Sequence, residues 1–373
     1  MPKKAYIGVD EKARKIKKAY IGIDGIARKI KKAYIGIGGV ARPCWSGGEL
    51  AYYGTATELS AARRQLAATT IGDYALFGGG YDGSYWDVVD AYNKSLTRTN
   101  PTSLSVARYG LAATAIGNYA LFGGGGGSGG SQRDVVDAYN KSLTRTNPTS
   151  LSEARGQLAA TTIGDYALFG GGLYGTSYKT TVDAYNKSLT RTNPTSLSVA
   201  RFGLAATAIG NYALFGGGSG SGGSYWDVVD AYNKSLTRTN PTSLSEARNH
   251  SAATTIGDYA LFGGGFSSGG SYWDAVDAYD ESLTRTNPTS LSAARRQLAA
   301  TTIGDYALFG GGYDGSYLDV VDAYDESLTR TNPTSLSEAR NHLAATTIGN
   351  YALFGGGVYS DSSKNTVDAY TIA

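Results

Sequence analysis

The chain has 373 residues, with 52 glycines and 29 tyrosines but a single cysteine and two histidines. A lone cysteine excludes disulfide-stapled scaffolds and zinc-finger arrays, and the short apolar runs, far below the ~20 residues of a spanning helix, predict no membrane insertion. The net charge of +3 is the sum of two segments of opposite sign. Residues 1–43 have twelve basic and three acidic side chains, whereas the remainder has 22 basic and 28 acidic ones.

The N-terminal segment is built from a fourteen-residue repeat. Its three copies begin at Lys3, Lys17 and Lys31, and each starts Lys-Lys-Ala-Tyr-Ile-Gly. Apolar residues alternate within each copy, and two-residue turn signals such as Asp24-Gly25 follow, which predicts three β-hairpins over residues 3–42. Asp10 interrupts the N-terminus before a signal-peptide core could form, so we expect no export signal.

Hairpins this small lack the apolar area to be stable alone. We therefore expect residues 1–45, the arm, to pack on the rest of the chain, on a second copy or on another protein. The predicted docking side chains are Tyr6, Ile7, Tyr20, Ile21, Tyr34 and Ile35. The basic charge also suits nucleic acid, but the Ala-Tyr-Ile-Gly cores favour packing, so we do not expect nucleic acid as a partner.

A second repeat occupies the rest of the chain. Ala-Leu-Phe-Gly-Gly-Gly recurs seven times at spacings of 45 to 47 residues, and Asp-Ala-Tyr follows each copy. Seven glycine-punctuated units of this length, each rich in short strands, predict a seven-bladed β-propeller over residues 46–373. The fold class is therefore all-β, with the arm as a separate domain.

Each unit divides into four strands. In the first, Leu66–Ile71 has the small side chains that an innermost strand needs, and Tyr74–Phe77 is apolar on both faces, as expected between neighbouring blades. Val88–Tyr92 is the third strand, and Leu96–Thr99 is the outer one, where the charge of Arg98 would discourage edge-to-edge pairing.

The two ends of the repeat array predict how the ring closes. The seventh unit stops after its third strand, at Tyr370 and the three residues that follow it, whereas Ala51–Ser60 aligns with Leu96–Ser105 of the first unit. The outer strand of the last blade is thus expected from residues 50–55. These repeats resemble the kelch family in the Arg after Leu-Ser, the Gly-Gly closing the second strand and the Tyr of the third; they differ where a Trp is usual in the last strand.

The seven copies differ from one another in two places. One is the residue pair after the repeated arginine: Arg64-Gln65, Tyr109-Gly110, Gly156-Gln157, Phe202-Gly203, Asn249-His250, Arg296-Gln297 and Asn341-His342. The other is the segment after the glycine triplet: Tyr81–Trp86, Gly126–Arg133, Leu173–Thr180, Ser219–Trp226, Phe266–Trp273, Tyr313–Leu318 and Val358–Asn365. In an up-and-down propeller both lie at the same end of the ring, and we call this end the variable face.

Aromatic residues are concentrated in these segments, as they are in adaptable binding surfaces. The alternative is that they pack between blades. The predicted ligand-binding residues are Tyr81, Tyr85, Trp86, Tyr109, Tyr174, Tyr178, Phe202, Tyr225, Trp226, Phe266, Tyr272, Trp273, Tyr313, Tyr317 and Tyr359.

Catalytic residues and cofactors are not expected. His250 and His342 lie outside any Cys/His/Asp cluster in the sequence, which predicts a position on the loop surface. The glycine run at 123–127 lacks a following Gly-Lys-Ser/Thr, so a flexible loop accounts for it better than a phosphate site. Clusters such as Asp277, Asp280 and Glu281, or Asp322, Asp325 and Glu326, match no calcium-loop spacing, so we predict no metal site.

A buried role is favoured for the repeated arginines. These arginines could form an anion-binding ring. Each has five N–H donors, however, and can act as a staple that holds its blade together by hydrogen bonds to loop carbonyls and neighbouring acidic side chains. They are the arginines at 63, 108, 155, 201, 248, 295 and 340. The Asp of each Asp-Ala-Tyr is likewise expected to be a structural acceptor.

The arm resembles repeated N-terminal segments of tail and virion structural proteins from Firmicutes phages and prophages, over residues 3–45. This resemblance implies a non-enzymatic virion protein, assembled in the host cytoplasm, whose arm binds other tail proteins. Its propeller would then contact a host-surface glycan or protein. The alternative is a bacterial kelch-type scaffold for protein partners; a glycan-active enzyme is disfavoured, because the variable segments lack clustered carboxylates.

Overall fold

The computed structural model describes residues 48–372 and, of the N-terminal segment, the strand backbones between residues 6 and 46. Three antiparallel pairs make up that segment: Tyr6–Val9 with Lys12–Lys15, Ala19–Ile23 with Ile26–Ile30, and Lys32–Ile37 with Val40–Ser46. This confirms the three predicted hairpins. The side chains of Tyr6, Ile7, Tyr20, Ile21, Tyr34 and Ile35 lie outside the described residues.

The chain divides into two compact units, Met1–Ala51 with Thr371–Ala373, and Tyr52–Tyr370. The second unit is a seven-bladed β-propeller, as predicted. Each blade is a four-stranded antiparallel sheet. The seven inner strands, in the order of blades 1 to 7, are Ala67–Ile71, Ala112–Ile116, Ala159–Ile163, Ala205–Ile209, Ala252–Ile256, Ala299–Ile303 and Ala344–Ile348.

The remaining strands follow in the same order. The second strands are Tyr74–Gly78, Tyr119–Gly123, Tyr166–Gly170, Tyr212–Gly216, Tyr259–Gly263, Tyr306–Tyr313 and Tyr351–Gly355. The third strands are Val89–Asn93, Val136–Asn140, Val182–Asn186, Val229–Asn233, Val276–Tyr279, Tyr317–Asp325 and Val367–Ile372. The outer strands are Arg98–Thr99, Arg145–Thr146, Arg191–Thr192, Arg238–Thr239, Arg285–Thr286, Arg330–Thr331 and, in blade 7, Leu50–Thr55.

The hydrophobic core lies between blades rather than within them. Leu76 and Val89 of blade 1 pack against Leu111 and Phe122 of blade 2, and all four are buried. The glycine triplet makes this approach possible: a Cβ on Gly78 would lie 2.8 Å from the Phe122 ring, and one on Gly79, at φ +69°, would lie 2.6 Å from the carbonyl oxygen of Arg108. Glycine is therefore required by the neighbouring blade as much as by the turn.

The outer strands are shorter than predicted, and their arginine has a different role. Leu96 has φ +59° and belongs to the turn, so the outer strand of blade 1 holds two residues. Arg98 pairs with buried Asp90 at 3.3 Å, and its equivalent Arg145 also donates to the Ser103 carbonyl of the preceding segment. These arginine side chains are about a quarter exposed. They therefore connect the outer strand to the buried aspartate of the third strand, and do not serve to prevent pairing at an exposed strand edge.

Ring closure is confirmed, with one correction. Leu50–Thr55 pairs with the third strand of blade 7. The sequence alignment matches Tyr53 with Arg98, yet it is the Tyr52 hydroxyl that donates to Asp368 Oδ1, at 2.7 Å. Tyr53 is 55% exposed and lies against Tyr351. The side chain that reaches the third-strand aspartate is therefore one position earlier in the closing strand than in the other outer strands.

Threonine hydroxyls join neighbouring inner strands around the channel. In five of the seven junctions the second threonine of one blade contacts the first threonine of the preceding blade, with oxygens 2.8–2.9 Å apart, as for Thr162 and Thr114. It also donates to a backbone carbonyl of that blade, as Thr162 does to Ala115. Blades 2 and 4 carry Ala115 and Ala208 at the position of the second threonine. The junctions of these two blades with the preceding blade therefore lack this pair of hydroxyl hydrogen bonds, which we call the threonine clasp.

We expect Ala115→Thr combined with Ala208→Thr to raise the free energy of unfolding by about 1 kcal/mol per site, the net value of one hydrogen bond. The reverse change, Thr162→Val, keeps the side-chain shape, removes the hydroxyl and is expected to lower stability by a similar amount. Urea unfolding followed by fluorescence measures both. A neutral or destabilising result for the double threonine variant would contradict the prediction that the threonine clasp stabilises the ring.

Candidate functional site

The two variable segments of each blade lie side by side at one end of the propeller. In blade 1, Arg64 and Tyr81 form an antiparallel bridge, and each backbone N–H donates to the other residue's carbonyl at 3.0 Å. Equivalent bridges join Tyr109 with Gly126, Gly156 with Leu173, Phe202 with Ser219, Asn249 with Phe266, Arg296 with Tyr313, and Asn341 with Val358. The predicted single variable face is therefore confirmed.

The segments that follow the glycine triplets are hairpins, not irregular loops. In blade 6 the ladder continues through Gly312↔Leu318 to Tyr313↔Tyr317. Blade 2, where the sequence predicted a flexible loop, has the bridge Gly126↔Gln132 and a 3-10 turn at Ser128–Gly130. Blade 4 has the same turn at Ser221–Gly223. Blades 3 and 7 form two-stranded hairpins: Leu173–Tyr174 with Ser177–Tyr178, and Val358–Tyr359 with Ser362–Ser363.

Buried ion pairs lie beneath this face. In blade 3, Arg155 Nη2 donates to Asp183 Oδ2 at 2.7 Å and to the Phe169 carbonyl at 3.0 Å, and both charged side chains are fully buried. All seven blades repeat this pair at 2.5–2.7 Å. Burial lowers the pKa of Arg108, Arg201 and Arg248, while the paired aspartate opposes that shift. The staple role is confirmed, because a fully buried guanidinium is not accessible to a ligand from solution.

Six of the predicted aromatic residues form a continuous arc over blades 4 to 7. Successive ring centroids are 5.1–6.1 Å apart, a range typical of edge-to-face and tilted aromatic contacts. The arc consists of Tyr225, Phe266, Tyr272, Tyr313, Tyr317 and Tyr359. Five of its rings are half-buried and Tyr359 is 47% exposed, so these side chains both pack on each other and face solvent.

The other predicted aromatics occupy four different settings. Tyr81, Tyr85 and Tyr109 form a triad with centroids 5.3–5.7 Å apart, and Tyr178 stacks on Phe202 at 5.5 Å. Tyr174 is 50% exposed. The indole nitrogens of Trp86, Trp226 and Trp273 are buried without a hydrogen-bond partner. These three residues therefore reach less far into solvent than the sequence suggested.

A backbone collar surrounds the mouth of the central channel on the variable face. Each collar residue donates its N–H to the carbonyl of its counterpart in the preceding blade, at 2.8–3.0 Å, and the seven bonds close a ring. The collar consists of Gln65, Gly110, Gln157, Gly203, His250, Gln297 and His342. All seven have φ between +51° and +63°. The collar encloses a cavity of about 300 Å³, above a channel lined by Ala and Thr.

The two histidines belong to this collar, which corrects their predicted place on the loop surface. Both are half-buried and line the cavity. Burial lowers the pKa of His250 to about 4, with a contribution from Arg296. Burial also lowers the pKa of His342 to about 3, together with His250, Arg64 and Arg296. Both imidazoles are therefore neutral at pH 7, in desolvated and electropositive surroundings.

Arginines flank the collar in the two blades on either side of His342. Arg296 of blade 6 lies over three rings of the arc, 4.4 Å from the Phe266 centroid, 5.6 Å from Tyr272 and 5.8 Å from Tyr313. Arg64 of blade 1 lies 5.4 Å from the Tyr81 centroid. Both arginines are among the variable residues of the repeat, but nothing in the repeat indicated that their charges would act on the histidines.

The acidic clusters considered for calcium are used internally. Asp277 and Asp322 are the buried partners of Arg248 and Arg295. Asp280 Oδ1 accepts the Ser282 hydroxyl and the backbone N–H groups of Thr284 and Ser282 in the turn after the third strand, and these bonds lower its pKa, the hydroxyl most of all. Within residues 48–372, no three His, Cys, Asp or Glu side chains gather in a metal-binding arrangement.

Neither a protein-family model nor a curated protein matches the chain. The kelch and phage resemblances therefore remain predictions. In the described part of the chain, no helix has the length and apolar character needed to cross a membrane.

Proposed function

We propose that this protein is a non-enzymatic binding protein whose variable face holds the ligand. One observation carries the proposal: blades that repeat nearly residue for residue diverge in two segments, and these segments meet at one end of the ring. A rigid scaffold that presents variable, aromatic hairpins is a general design for recognition. The β-propeller also suits an interaction scaffold.

We further propose that the protein is a phage tail or virion component. The basic arm would bind other tail proteins, and the propeller would present its variable face to a host-surface glycan or protein. The three hairpins of the arm and its resemblance to phage segments support this proposal. A kelch-type scaffold for a bacterial protein partner is the alternative. Mass spectrometry of purified phage particles distinguishes them, because the virion proposal requires the chain in the particle.

The binding proposal makes a separate prediction for the arc. Tyr317→Ala combined with Tyr359→Ala is expected to weaken binding of the full chain to intact host cells by about ten-fold or more, because aromatic anchors dominate such interfaces. The matched control is Tyr166→Ala combined with Tyr212→Ala, at the opposite end of the ring. Flow cytometry with labelled protein measures binding, and thermal unfolding checks that both variants fold. Equal binding by the arc variant and the parent would contradict the proposal.

A further inference from the structure

The variable face is asymmetric around the channel mouth. Blades 2 and 4 place Gly110 and Gly203 in the collar, and these positions have no side chain. Blades 5 and 7 place His250 and His342 there, with Gln297 between them. Gln157 is therefore the one collar side chain in blades 2 to 4, whereas imidazole and amide groups line the cavity in blades 5, 6, 7 and 1.

Two arginines lie on the imidazole half, where Asp82 and Asp314 also occupy the hairpin tips of blades 1 and 6. Arg296 and Arg64 belong to blades 6 and 1, on either side of His342, and both lower the pKa of that histidine. No carboxylate among residues 48–372 forms an ion pair with either arginine. By contrast, Lys179 and Lys364 on the same face pair with Glu153 and Glu338.

Arg296 is held in place while part of its hydrogen-bonding capacity is unused. Three aromatic rings surround its guanidinium, which fixes the group by cation–π contact. Its Nε is buried and has no hydrogen-bond partner. A guanidinium held in place on the variable face favours an anionic ligand group, since its remaining N–H groups can form charge-assisted hydrogen bonds.

From these observations, and resting on the proposed function, we infer that the variable face binds an acidic glycan beside the channel mouth, with its carboxylates on Arg296 and Arg64 and the adjoining sugar rings on the aromatic arc. Carboxylate and guanidinium match in a two-pronged geometry. Five of the six arc residues are tyrosines, so the arc combines aromatic rings with hydroxyl groups, which suits pyranose rings that have apolar C–H faces and hydroxyl edges. The neutral collar histidines supply a donor and an acceptor each for further hydroxyl groups.

The test measures binding of the full chain to immobilised polysaccharides by biolayer interferometry. The probes are polygalacturonate, which carries a carboxylate on every sugar, and dextran, which is neutral; a polyglutamate peptide is the third probe. We expect polygalacturonate to bind at least about ten-fold more tightly than dextran and polyglutamate. Comparable binding of dextran, tighter binding of polyglutamate, or no binding of polygalacturonate would each overturn the inference.

The variants separate binding at Arg64 and Arg296 from nonspecific attraction to positive charge. Arg64→Asn with Arg296→Asn introduces the residue that blades 5 and 7 carry at the same position, and we expect it to weaken polygalacturonate binding about ten-fold. Lys141→Gln with Lys234→Gln removes the same charge at the opposite end of the ring and should change binding less than about two-fold. Equal losses in both variants would show nonspecific attraction and overturn the inference. The binding proposal itself is judged separately, by the cell-binding result for the arc variant.

Discussion

Replacing Asp183 by alanine is expected to lower the free energy of unfolding by about 3–5 kcal/mol, because the change leaves a buried guanidinium without its counter-ion. Asp183 accepts hydrogen bonds from Arg155 Nη2 at 2.7 Å, the Ser152 N–H at 3.0 Å and Asn193 Nδ2 at 2.7 Å. Arg155 already has Nε and Nη1 buried without partners. The Phe169 carbonyl, which also accepts from Nη2, carries no charge that could replace the carboxylate. Urea unfolding of the variant and the parent measures the difference.

The same blade supplies a matched control. Asp165 pairs with Lys187 at 2.5 Å on the surface, where the two side chains are 70% and 58% exposed. Asp165→Ala is therefore expected to cost less than about 1 kcal/mol. The double change Arg155→Met with Asp183→Leu removes both charges and should cost less than Asp183→Ala alone. If Asp183→Ala were no more destabilising than Asp165→Ala, the staple would not be a major source of stability.

Deleting residues 46–57 is expected to destabilise the propeller by more than about 5 kcal/mol, a loss comparable with the whole stability of many domains. The deletion removes the outer strand of blade 7. It also removes the Ala56 N–H that donates to the Val367 carbonyl at 2.8 Å and the Thr57 carbonyl that accepts the Tyr92 hydroxyl. The edge of the last blade would then be unpaired. Calorimetry measures the effect, and an unchanged melting temperature would refute the closure.

A point substitution tests the same closure without removing chain. Tyr52→Phe deletes the hydroxyl that donates to the buried Asp368, a bond to a charged group worth about 1.5–3 kcal/mol. Burial and that aspartate raise the pKa of Tyr52 to about 12, so the hydroxyl remains a donor at neutral pH. The control, Tyr53→Phe, changes a largely exposed residue and should have little effect. Equal effects of the two substitutions would argue against the observed register.

Most of the propeller could be read from the repeat, because each blade reuses one local pattern. Small residues such as Ala67 and Ala68 indicate an inner strand, and the incomplete seventh unit indicates where the closing strand must come from. The sequence was less informative where backbone geometry departs from the simple pattern. Leu96 has a positive φ that its residue type disfavours, which shortens the outer strand, and the offset at Tyr52 is not visible in an ungapped alignment.

The same division applies to the candidate site. Comparing the copies was enough to locate the variable face, since antiparallel geometry puts both variable segments at one end of every blade. The collar, the aromatic arc and the effect of the Arg64 and Arg296 charges on His342 depended on the folded ring. The physical reason is that these contacts join different blades, so residues some 45 positions or more apart, and in the case of Arg64 and His342 at opposite ends of the array, become neighbours only when the ring closes. A repeat specifies each blade, whereas the packing between blades decides which side chains share a site.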